Sequence, residues 1–75
     1  MVEVKIMPQY PVIKRQSGVY EERLDDRWLA EYAEDLATGL WRADVYHHDV
    51  AVWRSDAYVS IEDAQQAAHA YYDQQ

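Results

Sequence analysis

The chain of 75 residues contains no cysteine and no phenylalanine, and only two glycines and two prolines. Without cysteine there is no disulfide and no thiolate chemistry. With Gly18 and Gly39 as its only glycines, it has no glycine-rich phosphate loop. Basic residues are scarce: seven Lys plus Arg face 14 Asp plus Glu, for a net charge of −7. A basic face for nucleic acid is therefore not expected, because phosphates would be repelled. No apolar run approaches the roughly 20 residues of a membrane span. No charged start, apolar stretch and small-residue cleavage site follows Met1, so the cytoplasm is the expected compartment.

What is present is 49% apolar and 28% charged, enough for a core. Such a length gives one small domain, residues 1–75. Its ten aromatics are seven Tyr and three Trp. Every ring therefore carries an O–H or N–H, a type that often anchors interfaces. The charge is uneven. Residues 1–18 carry a net +2 and residues 19–39 a net −5.

Periodicity suggests an α+β domain of about three antiparallel strands and two helices, in the order β-α-β-β-α. Val2-Glu3-Val4-Lys5-Ile6 alternates as a strand, closed by Pro8 and Pro11. Residues 1–18 thus form a strand and a proline-containing arm, with Val12-Ile13 a short extended piece and Gln16-Ser17-Gly18 a loop. Residues 25–38 read as a helix. Arg27, Glu31, Glu34 and Asp35 fall in one polar arc, Asp25 or Asp26 caps the start, and Gly39 suits the end. A competing reading makes Asp35-Leu36-Ala37-Thr38-Gly39 a hairpin turn and residues 27–34 a strand; poor alternation favours the helix. Residues 40–56 read as a hairpin turning at His48-Asp49, with the register open. Residues 60–73 read as a helix with Ser60 and Asp63 approximating a capping box. Ile61, Ala64, Ala68, Tyr71 and Tyr72 form its packing stripe.

The motifs for catalysis are weak. His47, His48 and Asp49, with His69, are the tempting metal set, but neighbouring strand residues point to opposite faces. No metal or cofactor is expected. Glu31 lies one helical turn from both Glu34 and Asp35, and a solvated face explains these acids. Ser17, Ser55 and Ser60 lack a nearby His–acid pattern. A domain this small has little room for a pocket of about 300 Å³. The expectation is a non-enzymatic protein-binding module. Its candidate contacts are the acids Glu21, Glu22, Asp25, Asp26, Glu31, Glu34 and Asp35, and the hairpin residues Arg42, Asp44, Tyr46 and Trp53. Alternatives are a homodimer pairing through Tyr and Trp, and a small enzyme or metal binder using the histidines.

Two resemblances accompany this reading. Trp41-Arg42-Ala43, Ser55-x-x-Tyr58-x-Ser60 and Ala64, Ala67 and Ala68 resemble the β-β-α unit of YegP-type domains. That likeness covers residues 41–72, implies shape rather than activity, and lacks the usual turn glycine. The short, acidic, cysteine-free, Tyr- and Trp-rich chain is also similar to small phage-encoded inhibitors of the anti-CRISPR or anti-restriction type. This second likeness implies a protein partner that handles nucleic acid, reached by a row of carboxylates standing in for phosphates. It implies no direct contact with nucleic acid or membrane.

Overall fold

A computed structural model describes residues 11–75. Five strands, β1 (Val12–Gln16), β2 (Val19–Arg23), β3 (Trp28–Asp35), β4 (Leu40–His47) and β5 (Val50–Arg54), precede one helix, α1 (Ile61–Asp73). The sheet is an antiparallel meander in the order β1-β2-β3-β4-β5. This corrects the expected three strands and two helices. The expected strand over residues 2–6 lies outside the described residues.

The central correction is residues 25–38, which form no helix. Residues 28–35 are a strand in register with both neighbours, pairing Glu31 with Glu21 on one side and Asp44 on the other. Leu, Ala and Glu favour helices in isolation, but tertiary pairing overrides propensity. The alternation is present but disguised by polar residues on both faces. Ala30 and Tyr32 point into the core, and Trp28 packs against its edge. Leu29, Glu31, Ala33 and Asp35 point the other way.

Each turn has a local cause. Gly18 and Gly39 take positive φ angles of 73° and 74°, where a Cβ is disfavoured. Asp25 Oδ1 accepts from the amides of Arg27 (2.7 Å) and Trp28 (3.0 Å), which closes the β2–β3 turn. Asp35 Oδ1 accepts from the Ala37 amide at 2.9 Å, so the acid assigned to a helix face instead shapes a hairpin. At the β4–β5 turn, His48 and Asp49 have φ angles of 51° and 66°. Two left-handed residues make the hairpin turn that glycine usually favours. A register shift at Val45/Tyr46 follows.

Helix α1 begins where expected. Ser60 is the N-cap and its Oγ accepts from the Asp63 amide at 3.1 Å. The helix covers β3 and β4. Its Ala64 and Ala68 meet Ala30, Ala43, Tyr32 and Val45, all fully buried. Alanine on both surfaces lets helix and sheet approach closely. Tyr20, Trp28, Trp41, Trp53, Tyr58 and Tyr71 pack around this small core. The polar-tipped rings thus mostly rim the core, which explains the use of Tyr and Trp where Phe would serve a fully dry interior.

Candidate functional site

Among the described residues the helix covers one face of the sheet, and the other stays open. Strand register places the open-face side chains in rows. Glu21, Glu31 and Asp44 stand directly opposite one another on β2, β3 and β4, about 4.8 Å apart in strand spacing. Like charges placed so are mutually unfavourable, and arginines relieve the row at both ends. Arg15 pairs with Glu21 at 2.5 Å. Arg54 forks onto Asp44 at 2.8 and 3.4 Å. That bond and the carboxylate's charge raise the affinity of Arg54 for its proton. The middle acid, Glu31, has no ion-pair partner among the described residues.

Tyr46 lies next to this row. With Asp44, Ala51, Trp53 and Arg54 it lines a shallow depression of about 260 Å³. Burial, then the charges of Glu31 and Asp44, raise its hydroxyl pKa above the ordinary value, so the ring presents a neutral O–H donor. Arg42 is exposed on the same face and donates to the Ser55 carbonyl at 3.3 Å.

The expected contact residues are therefore divided. Glu21, Glu31, Asp35, Arg42, Asp44 and Tyr46 share the open face. Glu34 turns to the helix side, opposite Trp41. Asp25 and Asp26 sit in the β2–β3 turn. Trp53 belongs to the helix side, where it stacks on Tyr71 with centroids 4.8 Å apart and planes 12° apart, although it also edges the depression. Glu22 is fully buried and cannot meet a partner directly.

Glu22 is the feature the sequence reading missed. Its Oε1 accepts from Tyr32 Oη at 2.6 Å and Gln65 Nε2 at 3.1 Å, and lies 2.9 Å from His69 Nε2. Its Oε2 is buried with no hydrogen-bond partner among the described residues. Burial, then the bond to Glu22, push the Tyr32 hydroxyl far above its ordinary pKa. Tyr32 is thus a permanent donor. A legible signal existed: Gln65 and His69 lie four apart, one residue beyond Ala64 and Ala68 on the packing stripe. Polar residues at that spacing imply an acceptor across the interface.

A groove of about 370 Å³ adjoins this cluster, lined by Val12, Tyr20, Tyr32, Trp41, Ile61, Glu62 and Gln65. Elsewhere the histidines are separated. His47 stacks on Trp28 at 4.2 Å and adjoins His48 at 4.3 Å, while His69 serves Glu22. No group of three His, Cys, Asp or Glu among the described residues could hold a metal ion. No helix there is long and apolar enough to cross a membrane. No family model, curated protein or solved structure matches the chain.

Proposed function

We propose that the chain is a non-enzymatic protein-binding module that meets its partner with the open face of its sheet. One observation carries this reading: the cross-strand row Arg15, Glu21, Glu31, Asp44, Arg54 beside Tyr46, on a face the helix does not cover. Three fixed carboxylates flanked by an arginine at each end give orientation and register to a partner more than raw affinity. A tyrosine beside a shallow depression supplies the anchor. Glu31, without a cation of its own among the described residues, asks for one from the partner. The net charge of −7 favours a cationic partner surface, including one built for nucleic acid, and speeds the encounter. The carboxylate row that would replace phosphates runs across three strands rather than along a helix.

The test compares proteins captured from a lysate by the native chain, Glu31→Lys and Tyr46→Ala. A partner retained by the native chain, lost by both variants and weakened by salt supports the proposal. Capture unchanged by both substitutions overturns it. A homodimer is the second reading. It is favoured by β1, the edge strand among the described residues, whose Val12 and Ile13 are about half exposed, because unpaired edges invite pairing. Light scattering over a dilution series tests it; a monomer at the highest concentration overturns it.

A further inference from the structure

We infer that the groove between β2, the start of β4 and helix α1 is a binding site for an alkylammonium ion, the head group of a lysine side chain. It lies on the helix side of the sheet, away from the face proposed above, so either can fail alone. Two features converge. The first is aromatic. Tyr20, Tyr32 and Trp41 line the groove, and the Tyr20 and Trp41 rings stand 5.8 Å apart, tilted by 52°. A cation that comes within about 6 Å of an aromatic face is attracted by the ring quadrupole.

The second feature is charge. Glu62 stands exposed on the rim. Behind the wall lies buried Glu22, held by Tyr32 and Gln65, which both line the groove. No Lys or Arg among the described residues lines it. An anion would therefore meet the Glu62 carboxylate on the rim and no Lys or Arg among the described lining residues. The nearby helix start does not reverse this. Ser60 occupies the Asp63 amide through Oγ and the Ala64 amide through its carbonyl, and Glu62 and Asp63 offset the positive helix end.

A ligand rich in N–H groups and lacking acceptors suits these surroundings, and an ammonium has three donors and none to accept. The volume of about 370 Å³ is within the usual range for a small ligand. The groove is open rather than enclosed, which fits a side chain presented by another protein.

Titration of the isotopically labelled chain, followed by the indole N–H signals, tests this. Trp28 and Trp53 do not line the groove and serve as internal controls. The probes are butylammonium chloride, the peptide acetyl-Gly-Lys-Gly-amide and neutral butanol. Selective, saturable movement of the Trp41 signal is expected on the order of millimolar ammonium, as weak fragments bind. Butanol should bind about tenfold more weakly, the ratio a desolvated cation–π contact supports. Glu62→Gln, exposed and remote from the core, should weaken ammonium binding roughly threefold and leave butanol unchanged. A peptide that saturates at lower concentration than butylammonium assigns the site to protein lysines. The reverse order assigns it to free amines, and both orders support the cation site. Equal binding of butanol, or no saturation of the Trp41 signal by any ammonium probe, overturns it.

Discussion

Replacing Tyr32 by Phe isolates the energetics of the buried cluster. The ring is fully buried on β3 and its hydroxyl donates to Glu22 Oε1 at 2.6 Å. The substitution removes one oxygen and leaves the ring in place, so almost no apolar contact is lost. What is lost is a hydrogen bond to a buried carboxyl, worth about 1.5–3 kcal/mol. Glu22 would then keep Gln65 and His69 on Oε1, with Oε2 still unpartnered among the described residues. A domain of this length has only about 3–5 kcal/mol from a single core, so half the stability is at stake. For chains of 60–100 residues each kcal/mol moves the melting temperature by about 4–8 °C. A drop of roughly 10 °C is therefore expected in thermal unfolding followed by circular dichroism. The control is a double-mutant cycle with Glu22→Leu. Removing the acceptor alone strands the Tyr32 hydroxyl, whereas removing both partners leaves neither unpaired, so the pair should cost less than the sum of the singles. Tyr32→Phe within about 0.5 kcal/mol of the native chain, with additive singles, would refute the reasoning.

Further predictions concern the tethers and turns. Tyr72 Oη donates to Asp25 Oδ2; that bond, ahead of the Arg27 and Trp28 amides, lowers the Asp25 pKa, and it pushes Tyr72 up to about 12. A depressed carboxyl stabilises the fold above its unfolded pKa of about 3.9 and loses that contribution as pH falls through the folded value. A raised phenol stabilises below about 10 and loses it as pH climbs toward its folded value. The stability difference between native and Tyr72→Phe should thus be flat from about pH 5 to 9 and shrink at both extremes; a constant difference from pH 2 to 12.5 would contradict it. Ser60→Ala removes the N-cap of α1 and should cost about 1 kcal/mol in urea unfolding, with Ser60→Asp restoring most of it. Asp49→Gly should stabilise by roughly 0.5–1 kcal/mol, since φ is 66° there and glycine adopts that angle without penalty; a loss of stability would mean that the Asp49 side chain holds the turn.

The sequence was most legible where one physical cause acted alone. Ser60 capping and the alanine stripe produced helix α1 as expected, because cap and periodicity agreed. The hairpin of β4 and β5 was legible from its alternation, though not its bulge at Val45/Tyr46. Residues 25–38 failed because two signals competed. The 3.6-residue arc of Arg27, Glu31, Glu34 and Asp35 was accidental. The cross-strand partners of Glu31, Glu21 on β2 and Asp44 on β4, lie beyond the reach of a helical turn. Strand β2 was harder still. Its inward residues are Tyr20 and Glu22, and a buried acid carries the wrong sign in any hydrophobic pattern. Only the complement of Tyr32 on β3 with Gln65 and His69 on α1 makes an inward Glu22 sensible.

That complement also shapes the candidate sites. Gln65 and His69 of α1 join the Glu22 carboxyl of β2, as Tyr72 joins Asp25 just beyond that strand. The helix otherwise rests on β3 and β4, so these polar bonds hold it over β2 where apolar contact is thin. An alanine core permits close approach but buries little area per residue, and apolar stabilisation scales with that area. The polar tethers therefore fix the angle of the helix, and with it the width of the groove that Ile61, Glu62 and Gln65 share with Tyr20 and Trp41. The open face depends on none of this, because its charged row is set by strand register alone. Loosening the cluster should alter the groove first and the open face last. Indole signals in Tyr32→Phe should accordingly move at Trp41, while the Arg54–Asp44 pair keeps its geometry.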